Sequence, residues 1–166
     1  MKRKLAILCL AVLIVASFVT GCGKSAEEKA VEKFVQKQSG GKVSVDMSQG
    51  KVTVKEGDAT ITSGGNVQVP ASFPKDVPVY PNTQVLNAMT SPDVVHLTLI
   101  SKESVEKIAA SYKEQMKREG WKETASLTMG TTVTLAYEKD KRNATVAVSK
   151  MDKGDSGIQL QVSQKK

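Results

Sequence analysis

The chain has 166 residues, 40% of them apolar and 25% charged, with a net charge of +7; this is the composition of one ordinary globular body or two small ones, and it excludes a collagen-like or low-complexity chain. Aromatic residues make up only 4%, so the core must rest on Val, Ile, Leu and Ala. The only cysteines are Cys9 and Cys22, which excludes an internal disulfide or a cysteine-based metal centre in everything that follows Cys22, and the basic residues lack the clustering with stacking aromatics that nucleic-acid binding requires.

A basic head, Lys2-Arg3-Lys4, precedes the uncharged run LAILCLAVLIVASFVT from Leu5 to Thr20. The run is shorter than the roughly 20 residues of a spanning helix, and small residues follow it. Residues 1–21 are therefore predicted to be a cleaved secretory signal. Its end, Val19-Thr20-Gly21-Cys22, resembles the lipobox of bacterial lipoproteins. The resemblance implies cleavage between Gly21 and Cys22, a diacylglyceryl thioether on the Cys22 sulfur, and an acylated new amine (palmitate is the usual kind of chain). Two or three acyl chains hold firmly where one does not, so membrane lipid is the first expected partner. The implied location is the bacterial cell envelope. Gly23, in the place where Asp signals inner-membrane retention, favours the outer membrane in a Gram-negative cell. Loss of Lys2, Arg3 and Lys4 with the leader leaves the body at +4.

Residues 22–41 form the predicted lipid anchor and a short helical stalk. Ser25 and Glu28 have capping-box spacing. Ala26, Ala30, Val31, Phe34 and Val35 fall near helical period, and Gly40-Gly41 stops the run. So short a helix is marginal alone; a stalk or a docked helix is expected, ahead of a helix lying on lipid.

Residues 42–72 read as a small β-meander module. KVSVDM, KVTVKE, ATITS and NVQV alternate, with turn residues at Ser48-Gln49-Gly50, Glu56-Gly57-Asp58 and Ser63-Gly64-Gly65-Asn66. Val43/Val45, Val52/Val54 and Val67/Val69 mark one face of each run, too thin an apolar face to be stable without a neighbour. FPKDVPVYP, residues 73–81, is predicted to be a stiff extended connector. Phe73, Val77, Val79 and Tyr80 are its docking points, and its Pro78–Pro81 spacing is explained by rigidity rather than by a polyproline ligand.

Residues 82–166 read as an α+β domain of order ββαββββ: one long helix packed on an antiparallel sheet, preceded by the short helix and meander. Thr83–Thr90 and Asp93–Ile100 are its first strands. Ser101 is the expected N-cap of a helix over Lys102–Glu119, with Val105, Ile108, Ala109, Tyr112 and Met116 on one stripe and Gly120 as the stop. Trp121 is expected to pack where the helix turns back onto the sheet. Val133/Leu135/Tyr137, Ala144/Val146/Val148 and Ile158/Leu160/Val162 alternate with polar residues, giving one buried and one wet face.

The proline segment, the helix ending in SYKEQMKREGW and the β-meander after it resemble a group of bacterial lipoproteins carrying a P-x-DVP-x-YP segment and a similar helix end. The likeness covers roughly residues 70–166. No activity is assigned to that group, so the resemblance implies fold and location only.

No residue constellation points to a reaction. His96, the lone histidine, is expected on the face away from Val95, Leu97 and Leu99, without a serine elbow nearby. Asp152–Gly157 lacks calcium-loop spacing and reads as a plain turn. Lys139, Lys141 and Arg142 read as a solvated basic turn, with a phosphate or lipid head as the alternative contact. No catalytic, metal or cofactor residue is expected, and no cofactor. The leading functional expectation is a lipid-anchored, non-catalytic interaction module with other envelope proteins as partners. The alternatives are a carrier of a small apolar ligand and an enzyme of unrecognised type.

Overall fold

A computed structural model describes residues 26–48 and 50–165. The expected signal segment, the expected lipobox residues Gly21 and Cys22, and Ser25, the expected capping-box serine, lie outside the described residues. Among the described residues, two α-helices and nine strands follow one another: α1 (Ala26–Gln38), β1 (Val43–Ser48), β2 (Lys51–Glu56), β3 (Ala59–Gly64), β4 (Gln84–Thr90), β5 (Val94–Ser101), α2 (Val105–Arg118), β6 (Lys122–Met129), β7 (Thr132–Lys139), β8 (Arg142–Lys150) and β9 (Ser156–Gln164). Among the described residues no helix is long and apolar enough to cross a membrane.

The class is α+β, and the strands form one antiparallel sheet in the order β1-β2-β3-β4-β5-β9-β8-β7-β6. The N-terminal meander is not a sheet of its own. Ile61 and Thr62 of β3 pair with Met89 and Ala88 of β4, which supplies the neighbour that its thin apolar face needs. The fourth expected run of this stretch, Asn66–Val69, is not a strand. Instead, Val67 turns into the core, because Asn66 takes a positive φ of 55° and redirects the chain.

The long helix is shorter than its sequence suggests. Ser101 ends β5, and its hydroxyl accepts the Glu103 amide at 3.1 Å. Ser104 is the actual N-cap, accepting from the Lys107 amide at 3.3 Å. Both serines can cap, and the pairing of β5 with β9 through Ser101↔Ser156 decides between them. At the other end Gly120 takes φ +80°; its amide donates to Lys117 O, and the Trp121 amide donates to Met116 O at 2.9 Å. This double closure favours a residue without a Cβ at the left-handed position, and the Trp121 that follows is buried in the core.

α2 lays Val105, Ile108, Ala109, Tyr112 and Met116 on the sheet. Beneath them run rows fixed by register: Leu97, Leu160, Val146 and Leu135 in one, Leu99, Ile158, Val148 and Val133 in the next. Residues 73–81, expected as a connector, are part of this layer. Phe73, Val77 and Tyr80 are buried in the core cluster, and Val79 packs against it. The proline segment packs beside α2, where the Tyr80 amide donates to the Tyr112 hydroxyl at 3.3 Å and the two ring centres stand 6.2 Å apart. The opposite face, carrying Val45, Val54, Ile61, Met89 and His96 in one cross-strand row, is half-buried, and α1 packs along its β1 end.

Candidate functional site

The interior between α2 and the sheet is packed with side chains. Ile108, Tyr112 and Met116 from the helix and Leu97, Leu135, Val146, Val148, Ile158 and Leu160 from the strands are fully or almost fully buried. A space remains on the same face of the sheet, beyond the reach of α2. The row through Leu97 continues into Ala88, Thr62 and Thr53, and the row through Val95 continues into Thr90 and Thr60. Over this floor lies an open groove of about 290 Å³, lined also by Lys51 and by Gln68, Val69 and Pro70.

The sequence builds this groove in a simple way. In KVTVKE and ATITS the valines and Ile61 take one parity and the threonines the other, so β2 and β3 turn their hydroxyls toward the layer that holds α2. Thr53 Oγ1 and Thr62 Oγ1 are 3.3 Å apart and share a hydrogen bond. The segment after β3 supplies the wall: Val67 plunges into the core while Val69 stays partly exposed. The lining offers hydroxyls and an amide that donate and accept, one ammonium that donates, and methyl groups from Thr, Val69 and Ala88. It contains no carboxylate, histidine or cysteine, so nothing there can take a proton from a threonine hydroxyl. The arrangement suits holding an amphipathic molecule.

A second groove, about 370 Å³, lies where α1 meets β1 and is lined by Lys29, Glu32, Lys33, Gln36, Ser44, Val45 and Asp46. Glu32 already accepts the Met47 amide there at 2.8 Å.

The expected solvated basic turn is instead half of a charged clamp. Arg142 donates through both terminal nitrogens to the Asp76 carboxylate at 2.9 and 2.7 Å, and Lys139 donates to the same carboxylate at 2.7 Å and to Glu119 O at 2.6 Å. The Trp121 indole N–H donates to Asp76 O at 2.8 Å, and the Arg142 guanidinium stands 5.0 Å from the indole ring centre. The Arg142 hydrogen bond, helped by Lys139 and opposed by burial, holds the Asp76 carboxyl well below the usual carboxylate range. Two cations, a carboxylate and a ring thus tie the proline segment to β7 and β8. Lys141 stays exposed.

His96 lies on the sheet face opposite α2, half-buried, with Nε2 3.3 Å from Thr98 Oγ1; burial lowers its pKa. Asp152–Gly154 forms a single 3₁₀ turn, and Asp155 pairs with Lys102 at 2.8 Å. Among the described residues no three His, Cys, Asp or Glu side chains converge as a metal site. The predicted attachment and cleavage residues, Cys22 and Gly21, lie outside the described residues.

The groove residues were not singled out by sequence reasoning. Their signal was the threonine parity of residues 51–62, but only the β3–β4 pairing reveals that this parity faces the helical layer. Compared with known proteins, residues 83–165 match the family model described as START domain-like. No curated protein and no solved structure matches the chain.

Proposed function

Because the chain belongs to the START domain-like family, we propose that it is a non-catalytic binding protein that holds a small amphipathic ligand in the groove over β2, β3 and β4. The proposed body is tethered to the bacterial envelope through an acylated Cys22 after cleavage at Gly21. The observation that carries the ligand reading is the groove itself. It lies on the helix-side face of the sheet, it borders the packed core, and its volume of about 290 Å³ falls just under the range of about 300–1,000 Å³ of small-molecule sites, which suits a small ligand. Because the interior under α2 is filled, the ligand rests beside the core rather than inside it. Lys51 and the threonine hydroxyls favour a polar or anionic head, and Val69, Pro70 and Ala88 favour a short apolar portion.

The test is a methyl-detected NMR titration with a monoacyl phosphatidylglycerol below its micelle concentration. Saturable shifts at Thr53, Thr60, Thr62 and Thr90, weakened in Thr62→Val and Lys51→Ala, support the reading. A titration that leaves those four methyls unmoved overturns it for this class of amphiphile.

A second reading rests on a different observation. Every residue of β6 is exposed, with Leu127 at 56% and Met129 at 68%. An uncovered edge strand is a template for a partner's strand. Under this reading the domain is an interaction module for other envelope proteins, and shifts confined to β6 in a mixture with envelope extract favour it.

A further inference from the structure

We infer that α1 is a second membrane contact, with its outward face lying on an anionic bilayer surface. The inference rests on the envelope tether proposed above and adds a docking surface to it. α1 meets the sheet along one side only: Val31, Glu32 and Val35 are half-buried, and Glu32 accepts the Met47 amide from the outer edge of β1. At 100° per residue, Lys29, Lys33, Lys37, Ala30 and Phe34 fall within an arc of about 140°; Lys29 and Lys33 stand at its margin, where they also border the groove between α1 and β1 beside Asp46, and Lys37, Ala30 and Phe34 lie further round. All five are exposed, and Phe34, at 65%, is a large apolar side chain presented to water. Among the described residues none of the three lysines is in an ion pair.

The chemistry of this face fits a lipid headgroup layer. Lysines at successive helical turns carry the charge that anionic lipid attracts, and their methylene stems let the ammonium groups reach outward while the helix sits lower. Phe34 stands among them as the group that enters the acyl boundary. Distance supports the same occupant. Ala26 is four residues beyond Cys22, at most about 14 Å of extended chain, so a tethered Cys22 holds the start of α1 near the headgroups. Neutralising all three lysines is expected to weaken the surface contact on the order of 100-fold, and reversing their charge to weaken it further.

The experiment uses the full chain purified from membranes and placed in phosphatidylcholine/phosphatidylglycerol vesicles whose acyl chains are brominated. Phe34→Trp places a fluorophore on the face. The parent chain supplies the reference, because Trp121 is buried and adjoins β6, eight strand spacings or roughly 38 Å from β1. The expected result is blue-shifted, quenched emission in Phe34→Trp and unquenched emission in the parent. Quenching is expected to be lost in K29E/K33E/K37E and in vesicles without phosphatidylglycerol. Equal emission in brominated and plain vesicles overturns the inference, as does a concentration-dependent blue shift without vesicles, which would assign the face to a second copy. The mass of the Cys22 peptide separates the two readings. An acylated Phe34→Trp chain whose introduced indole is unquenched overturns the α1 contact and leaves the tether standing. A mature chain without acyl groups whose introduced indole is still quenched supports the contact and removes the tether. A chain neither acylated nor quenched overturns both.

Discussion

Replacing Asp76 by Asn removes the charge from the clamp while keeping its shape, and the structure sets the size of the loss. The carboxylate accepts two hydrogen bonds from Arg142 and one from Lys139, and each such charged bond is worth about 1.5–3 kcal/mol in mutational series. The bonds share one acceptor group, and about a quarter of the side chain remains in water at 24% exposure, so they do not add and solvent screens them. The loss also leaves Lys139 and Arg142, direct cross-strand neighbours, as facing like charges. The expected destabilisation is about 2–3 kcal/mol, or a Tm lower by about 6–12 °C for a body of this size. The Trp121 bond goes to the Asp76 backbone and survives the change, so Trp121 emission reports unfolding in parent and variant alike. Urea and thermal unfolding of the parent, Asp76→Asn, Arg142→Met and the double variant give the coupling energy directly. A Tm within about 2 °C of the parent, or a coupling below about 0.5 kcal/mol, would refute the argument and reduce the clamp to an ordinary surface pair.

The same clamp sets an acid limit. Because the folded chain holds the Asp76 carboxyl below its ordinary value of 3.8, its contribution is full above that pH and is lost as pH falls below it toward the folded value. Asp76→Asn should therefore flatten the decline in parent stability below about pH 4. The Tyr137 hydroxyl is buried with no hydrogen-bond partner among the described residues, so Tyr137→Phe should leave stability unchanged or raise it by about 1 kcal/mol in urea unfolding; a loss of that size would mean the hydroxyl is satisfied. Gly64 has φ +118°, and a Cβ there would collide with the Gly50 carbonyl. Gly64→Ala should cost about 1–3 kcal/mol and broaden the amide resonances of β2 and β3.

Much of the helical layer is legible in the chain because helical and strand periods differ. Val105, Ile108, Ala109, Tyr112 and Met116 repeat at the helical period and do line the core side of α2, and Val133/Leu135/Tyr137 alternate as a strand should. What stays hidden are the pairings between distant segments. Nothing local in ATITS announces that it will lie beside QVLNAMT, yet that contact turns four threonines into a groove floor. The docking of Phe73, Val77, Val79 and Tyr80 is legible in the proline-rich stretch, but Asp76 meets partners more than sixty residues away, so a basic turn that looks solvated becomes its clamp. The choice between Ser101 and Ser104 as N-cap has the same origin: both have the chemistry, and a strand from the far end of the chain selects one.

That strand, β9, has a further consequence. It lies between β5 and β8 and pairs with both along its length, so without residues 156–164 the sheet parts into β1–β5 and β6–β8, and α2 spans a gap. Neither portion closes over an interior. A chain emerging vectorially from a ribosome thus cannot complete its sheet until residue 164 is out.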